Sequence, residues 1–257
     1  MSAVDTSPFG RGLRHWRRIR GTSQLELAIT AATTTRHLSF LETGRSRPSR
    51  QMVERLSDAL TIPLRERNRL LEMAGLAPTY VEGALDSQDL APFQAAIDRL
   101  LTAHDPYPGF VLDRHWNIIQ TNRGSELFLA NFDGRNIVDL ALGAWRPLIE
   151  NWSSVTGALT QRLAADFLRF PDDDMLRQLH GRLSDALGSG SRRSEDSTTS
   201  RVICPHFNIN GITIRTITVA ARFESVADVT LDEIRVELTY PEDDIAERYF
   251  RQQLTAP

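Results

Sequence analysis

Residues 23–49 read SQLELAITAATTTRHLSFLETGRSRPS, and their spacing decides the fold of the first part of the chain. Ser23 stands where a hydroxyl accepts from a first-turn amide, and Glu26 three residues later completes a capping box. Leu27, Ala28 and Ala31 then form the inner face of a helix. Thr34 opens a further helix that runs to Thr43, and Gly44 is a natural C-terminal stop. The joint between the two helices is only about three residues long, and Ala31 and Ala32 let the axes approach closely. This is the layout of a helix-turn-helix, whose second helix enters the major groove of DNA.

Working outward, Gly10–Arg20 carries Leu13, Trp16 and Ile19 at helical spacing. Pro48 and Ser49 open a fourth helix with Met52, Leu56 and Leu60 inside. Pro63 opens a fifth, with Leu64, Leu71 and Met73 available for packing and Gly75 at its end. The result is an all-α five-helix head. Through residue 78 it holds 13 arginines against seven acids, while the remainder holds 17 against 26. A basic head on an acidic body suits a polyanion partner. All 30 basic residues are arginine, which base composition of the coding sequence explains without a functional role.

The quoted stretch resembles the phage-repressor-like (XRE) class of helix-turn-helix regulators. Gln24, Leu27, Ala28, Leu38, Leu41, Glu42, Gly44, Arg45 and Pro48 fall in register, and Ala32 stands where that class usually has glycine. The resemblance implies that Thr34, Thr35 and Arg36 open the recognition helix at the base edges, with Ser39 and Phe40 further along the same exposed side. Arginine pairs with guanine O6 and N7, and an aromatic ring meets a thymine methyl. Gln24, Arg45, Arg47 and Arg50 are then phosphate contacts, and Arg17 pairs with Glu42 to tie the first helix to the third. The competing readings are solvated arginines, a Phe40 that packs on a neighbouring helix, and a head that binds protein instead of DNA.

The domains are drawn as 1–77 for the head, 78–90 for a linker around Pro78 and Gly83, and 91–257 for the body. The body begins with an amphipathic helix from Leu90 to Ala103, with Phe93, Ala96, Ile97, Leu100 and Leu101 on its apolar face. GFVLD and WNIIQTN read as strands joined around Asp113–His115, followed by a helix with Leu127–Leu129. Helical stretches at 146–170 and 172–187 meet at Pro171, and Asp172, Asp173 and Asp174 suit a helix start better than a metal cluster. GSGSRRSEDSTTS (188–200) reads as a loop. RVICPHFNI, TIRTITVAARF and EIRVELTYP alternate as three strands, the first two joined by Asn210–Gly211. The chain is therefore α+β and multidomain.

Two strands, a block of helices and three antiparallel strands is the order of a PAS-like domain, which leaves a cavity beside its sheet. HDPYPGFVLDRHWNIIQTN, RPLIENW and DVTLDEIRVELTYPEDD resemble the ligand-binding domain of the MmyB-like (MltR) transcription regulators, which follows an XRE helix-turn-helix in that family. The resemblance runs from about Gly10 to Asp244. It implies a pocket for a small apolar ligand, with a fatty acid favoured. Candidate liners are Tyr107, Trp116, Asn122, Asn151, Trp152, His206, Arg215 and Phe223. Core packing of Trp116, Trp152 and Phe223, helix capping by Asn122 and Asn151, and a structural strand histidine at 206 are the alternatives.

Other functions find little footing. Hydrophobic residues at 41% exclude wholesale disorder, no run reaches the length of a membrane span, and the N-terminus lacks a secretory pattern. One cysteine, Cys204, forms no internal disulfide and fits a reducing compartment. No histidine has a metal-ligand spacing, and no phosphate-binding or nucleophile-elbow motif occurs. The expectation is a cytoplasmic transcription regulator without cofactor or metal. It binds operator DNA as a homodimer and answers to the apolar ligand. The alternative is a body that only dimerises or binds a partner protein. A hydrolase using Cys204 is the remote third reading.

Overall fold

The computed structural model describes residues 7–130, 132–188, 204–224 and 227–255. They form two compact units. The first holds the residues up to Gly83 together with 227–232, and the second holds the rest.

In the first unit the helices are α1 (Pro8–Ile19), α2 (Gln24–Thr30), α3 (Thr35–Glu42), α4 (Arg50–Ala59) and α5 (Leu64–Met73). Leu13, Leu27, Leu38, Leu41 and Leu71 are wholly removed from water and supply most of the core. The capping box forms: Ser23 Oγ accepts from Glu26 N at 3.2 Å, and Ser23 N donates to Glu26 Oε2 at 2.7 Å. Thr34 caps α3 through His37 N at 3.1 Å. Ala32 carries φ +48 at the turn, a conformation that glycine adopts without strain. At Gly10 a Cβ would lie 2.6 Å from Glu42 O, so α1 meets the end of α3 at backbone contact.

Part of the stretch read as a linker is bonded to this unit. Asn68 Oδ1 accepts from Thr79 N and Tyr80 N, and Tyr80 Oη donates to Glu54 Oε2. Val81 O then accepts from Val229 N at 2.9 Å.

The second unit runs α6 (Ala91–His104), β1 (Gly109–Leu112), β2 (Ile118–Thr121), α7 (Arg123–Leu129), α8 (Ile137–Leu142), α9 (Trp152–Arg169), α10 (Asp174–Leu187), β3 (His206–Ile209) and β4 (Ile212–Ala221). α11 (Val229–Glu233), which spans the boundary between the units, precedes β5 (Arg235–Pro241) and α12 (Asp244–Thr255). The sheet order is β2-β1-β5-β4-β3, with every neighbouring pair antiparallel. α6 lies on one face, where Leu101 reaches Gly109 and His104 Nε2 meets Thr239 O at 2.9 Å. The main core lies between the other face and the helices α7–α10 and α12.

Several boundaries differ from the sequence reading. The helix read from 146 begins at Trp152, and Asp173 caps α10 through Met175 N and Leu176 N. Phe93 and Leu100 stay 37% and 40% exposed, because α6 buries only the narrower stripe of Ile97 and Leu101. The third strand begins at His206, and most of the stretch 188–200 lies outside the described residues, as do positions 201–203. α12 was not foreseen, although Ala246 and Phe250 stand one helical turn apart and Asp243 caps through Ala246 N.

Candidate functional site

The exposed surface of α3 begins at its cap. Thr34, Thr35 and Arg36 are exposed, and Ser39 and Phe40 are half-buried one turn on. The Arg36 guanidinium lies 5.4 Å from the centre of the Phe40 ring, and that of Arg45 lies 6.0 Å from it. Phe40 is thus a platform for two cations, which keeps both side chains on one side of the helix. Arg45 and Arg47 are exposed. Arg50 is also exposed, but its guanidinium donates to Ala77 O and Thr79 Oγ1.

Glu42 orients this surface from below. Its side chain is 1% exposed and accepts from Arg17 Nε at 2.6 Å, Arg17 Nη2 at 3.1 Å and Gln24 Nε2 at 2.8 Å. Arg14 Nη2 donates to its backbone carbonyl at 3.0 Å. Burial pushes the Glu42 pKa up, but the bonds from Arg17 and Gln24 outweigh it and hold the carboxyl below its ordinary value. The pair Arg17–Glu42 therefore forms as read, and Gln24, read as a phosphate contact, spends its amide on the same carboxylate.

In the second unit an apolar cavity opens beside the sheet. Phe110, Phe128, Trp145, Ile149, Phe207 and Phe250 give it an aromatic and aliphatic wall, and Thr216, Thr218, Thr239 and Glu237 its polar side. A second cavity shares Phe128 and Phe250 and continues to Leu148, Ile209 and Tyr249. A concave, largely apolar space with a few polar groups is the usual form of a small-molecule site.

None of the eight residues read as liners borders the cavity beside the sheet. Strand parity explains two of them: His206 and Arg215 pair across β3 and β4, pointing away from the face that carries Phe207 and Thr216. They lie near Glu242 and Asp243 instead. Trp116 is fully buried and donates to Asp166 Oδ2 at 3.0 Å. Trp152 Nε1 donates to Ala141 O, Tyr107 packs edge-on against Phe250, and Phe223 packs edge-on against Phe93. Asn122 caps α7 through Ser125 N, while Asn151 bridges Cys204 O and His206 N. Of the residues that the sequence reading passed over, Phe250 is a ring neighbour of the chosen Tyr107, Phe207 follows the chosen His206 in the chain, and Phe128 stacks on Phe207. In β3, strict alternation from buried Phe207 would have found the correct face.

Cys204 has none of the environment of a nucleophile. Burial pushes its thiol pKa up, and the nearby Glu242 charge adds to the shift. Among the described residues, no helix is long and apolar enough to cross a membrane.

Residues 93–252 match the family model for the MmyB-like transcription regulator ligand binding domain, and residues 8–70 match a helix-turn-helix domain. No curated protein matches the chain. A solved structure titled "Structure of an RNA-binding Light-Oxygen-Voltage Receptor" is similar at 14% identity with a TM-score of 0.24. That alignment covers 96% of this chain and 62% of the other, so the chain spans less than two thirds of that protein's length.

Proposed function

The chain belongs to the MmyB-like transcription regulators, and from that premise we propose that it is an operator-binding homodimer whose body holds a fatty acid or similar small apolar molecule. The observation that supports the ligand is the phenylalanine- and tryptophan-walled cavity beside the sheet. Its wall is mostly aromatic and aliphatic with a few polar groups on one side, which suits a hydrocarbon chain carrying one polar end. Two copies would set two recognition helices about 34 Å apart on one face of a duplex. The ligand would shift the population of arrangements that fit the operator, which requires unequal affinity for them. A DNA partner supports a cytoplasmic site of action.

Two measurements on the full chain test this. Selection from random duplexes is expected to return a two-half-site motif, and no enrichment at moderate salt would overturn DNA recognition. Native mass spectrometry followed by organic extraction is expected to find a stoichiometric fatty acid. A protein that neither carries nor takes up palmitic acid would overturn the fatty-acid reading. An Ala141→Phe substitution, which fills the cavity, is expected to abolish uptake while leaving DNA binding in place.

A further inference from the structure

β4 ends at Ala221 and β5 begins at Arg235, and between them residues 227–232 belong to the same compact unit as the helix-turn-helix. Val229 and Leu231 are buried there, and Thr230 Oγ1 donates to Gly83 O. Both ends of this excursion are tied to one carboxylate of the second unit. Asp166 Oδ1 accepts from Arg222 Nη2 at 3.0 Å, just after β4, and Asp166 Oδ2 accepts from Arg235 Nη1 at 2.8 Å, at the start of β5.

Arg235 is 2% exposed and lies 3.8 Å above the Trp116 ring. Two residues along the same strand face, Glu237 borders the cavity, with its Oε1 3.0 Å from Arg235 Nε and 2.6 Å from Arg162 Nη2. Among the described residues, neither Arg235 Nη2 nor Arg235 Nε makes a hydrogen bond, and Nε has only its ion-pair approach to Glu237. Ion pairs therefore run without a break from the cavity wall to the neck of the excursion.

We propose that Glu237, Arg235 and Asp166 report occupancy of the cavity to residues 227–232, and through them to the DNA-binding unit. The proposal rests on the cavity being the ligand site. A buried guanidinium with an unmet donor is poorly settled, and its position depends on how firmly Glu237 holds it. An occupant whose polar end donates to Glu237, as the O–H of a protonated carboxyl group does, loosens that hold and leaves Arg235 to Asp166. The clamp that sets the spacing of the two strand ends then tightens. The occupant acts only by its unequal affinity for the two arrangements.

Hydrogen exchange of the full chain, read by mass spectrometry in peptides spanning 227–234, tests this. Palmitic acid is the probe, and native mass spectrometry reports whether it is bound. Asp166→Asn is expected to speed exchange at the Val229 amide about tenfold without ligand, because the neck opens. Unchanged exchange in peptides from β1 and α10 identifies a folded variant, and Arg222→Gln provides a milder second one. Bound palmitic acid is expected to slow exchange at 227–234 in the native sequence, and Glu237→Gln to bind it without that change.

The proposal is overturned if folded Asp166→Asn and Arg222→Gln both exchange there like the native sequence. It is equally overturned if Glu237→Gln shows the full effect of bound palmitic acid. Should palmitic acid not bind at all, the ligand reading fails for that probe, and the two clamp variants still decide whether the neck is coupled to residues 227–232.

Discussion

Two buried carboxylates organise the two units, and they are furnished differently. Glu42 is surrounded by donors that reach it from α1 and α2, and its arginines keep a route to water, with side-chain exposures of 15% for Arg17 and 33% for Arg14. Asp166 is held by Arg222, Arg235 and Trp116, but Arg235 is sealed from solvent, and among the described residues its Nε and Nη2 make no hydrogen bond. The first cluster is saturated and sits beneath a DNA-reading surface that must not move. The second is under-filled and sits beside an open cavity. A saturated cluster fixes a geometry, whereas an unsaturated one leaves a donor whose partner an occupant can change.

The comparison predicts unequal costs. Asp166→Ala leaves Arg235 buried without one of its two counter-charges and is expected to cost the second unit about 3–5 kcal/mol, seen in urea unfolding followed by tryptophan fluorescence. Glu42→Gln is expected to cost the first unit less, about 1–2 kcal/mol, because Gln keeps acceptor capacity and the arginines can turn to water. Equal costs in the two variants would break the distinction between the clusters.

Acidification separates the units in a second way. Burial lowers the pKa of His104, which packs α6 against β5, so the folded body keeps it neutral where the unfolded chain takes a proton. Its contribution is complete above the ordinary value of 6.5 and declines as pH falls below it. Glu42 has a depressed pKa, so its contribution is present above 4.5 and is lost as pH falls through the lower folded value. Thermal unfolding between pH 7 and pH 4 is expected to show the second unit weakening first. A His104→Gln variant that weakened just as steeply between pH 7 and pH 5 would remove His104 as the cause.

The two clusters also mark what was legible in the sequence. Glu42 lies inside one short stretch whose capping residues, apolar spacing and family register all agree, so both the helices and the Arg17 pair could be read. The succession of strands along the body was legible too, from short apolar runs and the Asn210–Gly211 turn signal. Asp166, Arg222 and Arg235 come from a helix, a strand end and another strand, 56 and 69 positions apart, and no local period joins them. The cavity wall was missed for a related reason: which face of a strand turns inward depends on helices that pack on it from elsewhere in the chain. Phe250 was missed because α12 follows the last motif that the sequence offered.

The smallest effects belong to the DNA surface, and they test whether the saturated cluster does its work through position alone. Arg47→Ala removes an exposed cation and is expected to lower the slope of log affinity against log salt by about one, with base preference unchanged. Arg36→Ala is expected to relax preference at one base pair by about 1–3 kcal/mol, since it removes a cation stacked on Phe40 at the start of α3. Arg50→Ala separates the two explanations of a weakened complex. Its guanidinium already holds Ala77 and Thr79, so losing it loosens the chain leaving the head even before DNA is present. If Arg50 serves that role alone, the salt slope stays at the native value while the first unit loses stability. A slope lowered as far as in Arg47→Ala would instead make Arg50 a phosphate contact that exchanges its internal partners for the duplex.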